Sequence, residues 1–182
     1  MEWLFRIKAI LLAPHAEWPV IAQERGDAQA LFIPYVAVLA LVPALAHFIG
    51  AALVGGYGPI LPSLAGALGI YLSGFVVVYV IALITDALAP IFGAQKNFVG
   101  ALKLAVYSYT PVWLSGIFLI VPGLSFLVIS GLYGVYLLRT GLPVLMRAPE
   151  EKASRYTAVI AGCALAFAVA LGVLEAPLFG PH

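Results

Sequence analysis

Charge is what this sequence has least of. Only 9% of its 182 residues are Asp, Glu, Lys or Arg, where a soluble domain carries about 25%. So sparse a charge cannot keep a protein surface hydrated and unassociated, which excludes an ordinary water-soluble fold. Disorder is excluded too, because it needs low hydrophobicity and high net charge. Nine basic residues against eight acidic ones give +1, leaving neither a basic stripe for nucleic acid nor a polyacidic tail. Cys163 is the only cysteine, so an internal disulfide and a multi-cysteine metal site are excluded. No His-x-x-x-His or paired-carboxylate spacing suggests a metal site, and no glycine-rich loop with a following lysine suggests phosphate binding. Neither a metal nor a cofactor is expected.

What abounds is apolar: 64% of the residues, with a mean hydropathy of +1.09. Runs of about 18 or more such residues predict membrane-crossing helices, and five stand out at 31–54, 60–89, 104–121, 124–145 and 156–174. They are too long and too evenly apolar for barrel strands, which alternate. The expected fold is an all-α polytopic membrane protein, a five-transmembrane-helix bundle over 31–174. Residues 1–30 precede it as a cytoplasmic interfacial segment, and 175–182 follow as an exterior tail. The turn Val121-Pro122-Gly123 is short enough to make spans three and four an antiparallel hairpin.

Orientation follows from the cations, which gather on the cytoplasmic side. Arg6, Lys8 and Arg25 precede span one. Lys96 and Lys103 fall between spans two and three, and Arg147, Lys152 and Arg155 between four and five. The alternate connections have none. This pattern predicts a cytoplasmic N-terminus and an exterior C-terminus in a plasma (bacterial inner) membrane. Ala44-Leu45-Ala46 mimics a signal cleavage site, but the stretch before its apolar core is too long for a leader. Residues 2–12 instead predict an amphipathic interfacial helix, with Trp3 and Trp18 as anchors and Arg6 and Lys8 facing anionic headgroups.

Lipid offers helices little hydrophobic gain for meeting one another, so close backbone approach must hold them. The stripe Ala158, Gly162, Ala166 and Ala170 is expected to face another helix. Asp86 in span two and Arg139 in span four lie at similar depth, so an ion pair between them is a reasonable expectation. With Tyr107, Thr110 and Tyr136 they form a candidate polar site, readable as a proton or ligand relay or as a hydrogen-bonded helix clamp. Trp113-Leu114-Ser115-Gly116 resembles an intramembrane serine protease motif but lacks its preceding glycine and a suitably placed histidine. Catalysis is not expected.

The order of several segments resembles the Yip family (Ypt-interacting proteins). They are Pro14-His15-Ala16-Glu17-Trp18-Pro19-Val20-Ile21-Ala22-Gln23-Glu24, Ala105-Val106-Tyr107-Ser108-Tyr109-Thr110-Pro111, and Ile120-Val121-Pro122-Gly123-Leu124. Leu132-Tyr133-Gly134-Val135-Tyr136-Leu137-Leu138, Gly141-Leu142-Pro143-Val144-Leu145-Met146 and Pro149-Glu150-Glu151-Lys152-Ala153 complete the series. The resemblance implies five helices and a cytoplasmic N-terminus. Eukaryotic members are linked to Rab-type GTPases and carry a longer N-terminal region. This chain is more similar to short bacterial members, so a GTPase partner is not expected. The expected function is a non-enzymatic scaffold or accessory protein binding membrane lipids, other membrane proteins or its own copies. The alternative is a small transporter or channel using Asp86 and Arg139.

Overall fold

The computed structural model describes residues 2–24, 28–54 and 59–179, with side chains at 4–24, 33–54 and 59–173. Two short helices, α1 (Glu2–Leu12) and α2 (Pro14–Gln23), form an N-terminal arm. They are separate because Ala13 leaves the helical region and Pro14, lacking an N–H, starts the next helix without wasting a donor. Five longer helices follow: α3 (Ala28–Phe48), α4 (Ile60–Leu88), α5 (Phe98–Ser115), α6 (Tyr133–Leu145) and α7 (Glu150–Phe179). The described residues contain no strand. With their helical extensions, five stretches are long and apolar enough to cross a membrane: Ile33–Val54, Ile60–Leu88, Phe98–Ile120, Pro122–Leu145 and Glu150–Val173. The protein is an all-α, multi-span membrane protein.

The third span begins at Phe98 rather than at residue 104, because Asn97 caps it. The Asn97 Oδ1 accepts from the Gly100 N–H at 3.1 Å, satisfying one of the donors a helix start leaves open. Lys103 therefore lies inside α5, only 8% exposed, and not in the preceding loop. Replacing Asn97 with alanine is expected to lower stability by about 1 kcal/mol, measurable as a lower melting temperature in detergent.

Spans three and four meet at Val121 as an antiparallel hairpin, flanked by 3₁₀ stretches at Gly116–Ile120 and Pro122–Leu132. A 3₁₀ helix rises about 2.0 Å per residue against about 1.5 Å for an α-helix. The stretch Pro122–Leu132 thus reaches farther than the same residues would as α-helix.

α5 is the hub. Its span is 61% buried and packs on α3, α4 and α6, whereas α7 is 17% buried and leans on α4 and α6 alone among the larger contacts. The face that α7 buries carries Ala153, Tyr156, Thr157 and Ile160, continued by the partly buried Ala164, Phe167 and Leu171. Tyr156 stacks on Phe92 at 4.6 Å and donates to the Thr85 carbonyl. The stripe expected to face another helix is not the face that α7 buries against its own neighbours. Ala158, Gly162, Ala166 and Ala170 are exposed, and a Cβ on Gly162 would meet nothing within 4 Å. α7 reaches its neighbours through the larger Tyr156, Ile160, Phe167 and Leu171, and the stripe lies on another face.

Candidate functional site

The five residues of the expected polar site do not converge. Asp86 accepts from the backbone N–H of Asn97 at 2.8 Å, closing the short connection between α4 and α5. Arg139 donates through Nε to Ser154 Oγ at 3.0 Å. The expected Asp86–Arg139 ion pair is therefore corrected: the ion pairs among the described residues are both made by Arg6, and Asp86 and Arg139 each bond to another group. Thr110 is fully buried and shares a hydrogen bond of 2.9 Å with the Tyr35 hydroxyl. Tyr107 packs edge-on against Tyr35 at 5.1 Å and against Trp18 at 6.5 Å. Tyr136 turns to His15, with 3.2 Å between its hydroxyl and Nε2.

What the structure brings together instead is a polar seam between the N-terminal arm and the bundle. α6 presents Tyr133, Tyr136 and Thr140 at spacings of three and four, which places them on one helical face. Each meets a successive position of the arm. Tyr133 donates to the Leu11 carbonyl at 2.9 Å, Tyr136 meets His15, and Thr140 accepts from Trp18 Nε1 at 3.0 Å. Trp18 is fully buried, which corrects its reading as an interfacial anchor. Its indole fits because Gly141 has no side chain: a Cβ there would stand 2.7 Å from the Trp18 ring and 2.5 Å from Leu104.

Two cations complete the seam. Lys103 Nζ donates to the carbonyls of Ile21 at 3.0 Å and Glu24 at 2.7 Å, capping the C-terminal end of α2 from within α5. Arg6 pairs with both Glu17 and Glu24, binding α1 to α2. Arg6 thus serves an internal contact, and its reading as a headgroup anchor is corrected. Lys8 is exposed beside Leu4, Phe5 and Leu12, while the Trp3 side chain and Arg25 lie outside the described residues. Replacing Thr140 with valine keeps its shape but leaves the buried indole N–H without its acceptor. The expected cost is about 1–3 kcal/mol, to be read from a melting curve.

None of Tyr35, His15, Glu17, Lys103, Tyr133 and Thr140 belongs to the polar site expected from the sequence, in which Lys103 counted only as a loop cation. The available signal was the run of hydrogen-bonding side chains at helical spacing on α6, opposed by Leu11, His15 and Trp18 at matching spacing. No group of three His, Cys, Asp or Glu side chains that could hold a metal occurs among the described residues.

The Yip1 domain family model matches residues 8–173, which takes in all five spans and every seam residue named above except Arg6. The chain belongs to the Yip1 family. No curated protein and no solved structure matches it. In Yip1-family terms, the segment Pro14–Glu24, read as an interfacial entry, is a helix docked on the bundle in this member. The tyrosine–proline segment of α5 is the wall against which Tyr35 and Trp18 pack.

Proposed function

We propose that this Yip1-family protein is a non-enzymatic membrane scaffold that recruits the apolar helices of other membrane proteins. The observation that carries this reading is the outward face of α7. It exposes Ala158, Gly162, Ala166 and Ala170 along a helix that is only 17% buried. Small residues at this spacing let a second helix approach closely in lipid, where close packing supplies the attraction. The polar groups give complementary support. Those expected to form a relay are engaged in fastening the chain to itself, which suits a rigid platform and removes the pair on which transport depended.

The proposed placement keeps the arm and the connection between α4 and α5 on the cytoplasmic side. Arg6, Lys8, Lys96 and Arg147 support it, since Gln95 N–H bonds to the Met146 carbonyl at 2.8 Å and so gathers that end of the bundle. Partner capture tests the scaffold reading. Substituting Gly162→Leu with Ala166→Leu is expected to abolish copurification of membrane partners in mild detergent without lowering the melting temperature. Unaltered capture by the folded double variant would refute it. Dimers cross-linked through the exposed Cys163 would identify the captured helix as a second copy.

A further inference from the structure

A cleft of about 360 Å³ enters the bundle between α4, α5, the fourth span and α7. Its floor is buried, with Val77, Ala105, Ser108 and Ile160, whereas Ile129, Leu132, Leu165 and Ala168 at its rim are exposed. These rim residues lie near the middles of their spans, so the mouth opens sideways at hydrocarbon depth. On the α7 wall the small side chains Ala161, Ala164 and Ala168 leave the space open, while on the fourth span Gly131 and Gly134 lie close against α5 and form part of the lining. The volume falls in the range of about 300–1,000 Å³ typical of small-molecule sites.

Ser108 is the unusual member of this lining. Elsewhere in the helices Ser63, Ser73, Thr85, Thr110, Ser115, Thr140 and Thr157 each donate to a carbonyl three or four residues back. The Ser108 hydroxyl is buried and has no hydrogen-bond partner among the described residues. A buried donor without an acceptor is costly, the more so where no water competes to satisfy it. Beside it in the lining stands Tyr109, whose ring meets Trp113 edge-on at 5.1 Å, and which offers an aromatic surface to a flat ring.

We propose that this cleft binds a lipid-soluble carbonyl compound on a slender apolar tail, the chemical class of the isoprenoid quinones, with Ser108 donating to the carbonyl. Phospholipid chains are the competing occupant, but their ester carbonyls stay near the interface, well above Ser108. A bare chain would leave the hydroxyl unpaired. The proposal is independent of the scaffold reading, because the cleft and the outer stripe of α7 are different faces of that helix.

The test titrates a decyl-substituted benzoquinone into vesicles holding the full-length protein and follows quenching of its tryptophan fluorescence. A saturable component is expected above the linear collisional background. Ser108→Ala, which removes only the hydroxyl, should weaken that component about two- to tenfold, the worth of one neutral hydrogen bond. Ala168→Phe, at the exposed rim, should abolish it without disturbing the bundle. A purely linear response from the unaltered protein overturns the proposal. So does saturation that is indifferent to Ser108→Ala and is displaced by a phospholipid with brominated chains, which would assign the cleft to an acyl chain.

Discussion

Replacing Lys103 with methionine is expected to release the N-terminal arm from the bundle. The last carbonyls of a helix have no intrahelical partner, and at the end of α2 the Lys103 ammonium supplies one for Ile21 and another for Glu24. A cation there is also favoured by the helix dipole. Hydrogen bonds to a charged group contribute about 1.5–3 kcal/mol, and methionine retains the apolar stem while removing both. The loss should be about 3 kcal/mol, enough to populate an undocked arm. Limited proteolysis in vesicles should then cut within residues 13–24 of the variant while sparing the parent. Lys96→Met provides the control, since Lys96 is exposed in the connection before α5. An arm as resistant in Lys103→Met as in the parent would show that the ammonium is not what holds it.

Lys103 also shows why the sequence reveals the spans but not their mutual contacts. Five crossings are legible because hydropathy belongs to each residue and adds along a run. A lysine near the end of a span looks the same whether it reaches toward water or caps a neighbouring helix, so Lys103 read as a loop cation. The same ambiguity applies to Trp18: an indole has an apolar body and a polar tip, which suits an interface or a buried slot ending in a threonine. The orientation of α7 was illegible for a different reason. Lipid and bundle interior are equally apolar, so hydropathy does not say which face turns inward. Side-chain volume decided it, with Tyr156, Ile160 and Phe167 turned toward the bundle and the alanine–glycine stripe turned away. Asp86 and Arg139 were matched by depth, yet local partners, the Asn97 N–H and Ser154, were available sooner along the chain.

Adding one methyl group to either of two glycines should have opposite consequences, and this contrast probes how α5 and α6 cross. In an exposed helical setting Gly→Ala gains up to about 1 kcal/mol, because the unfolded chain loses freedom. Gly162 is such a setting, with nothing within 4 Å of a new Cβ, and Gly162→Ala should raise the melting temperature slightly. At Gly134 the added Cβ would lie 2.3 Å from the Ser108 backbone oxygen. A carbonyl in the middle of a buried helix cannot rotate aside as a side-chain tip can, so α5 and α6 must separate as rigid rods. α5 is packed on three other helices, and its displacement would loosen contacts well beyond the crossing. Overpacking of this kind costs about 1–3 kcal/mol, which outweighs the propensity gain and makes Gly134→Ala destabilising by roughly 2 kcal/mol. Parallel melts of the two variants measure the difference directly. If Gly134→Ala proved as stable as Gly162→Ala, the two backbones could not be in the close contact that places Ser108 beside the cleft.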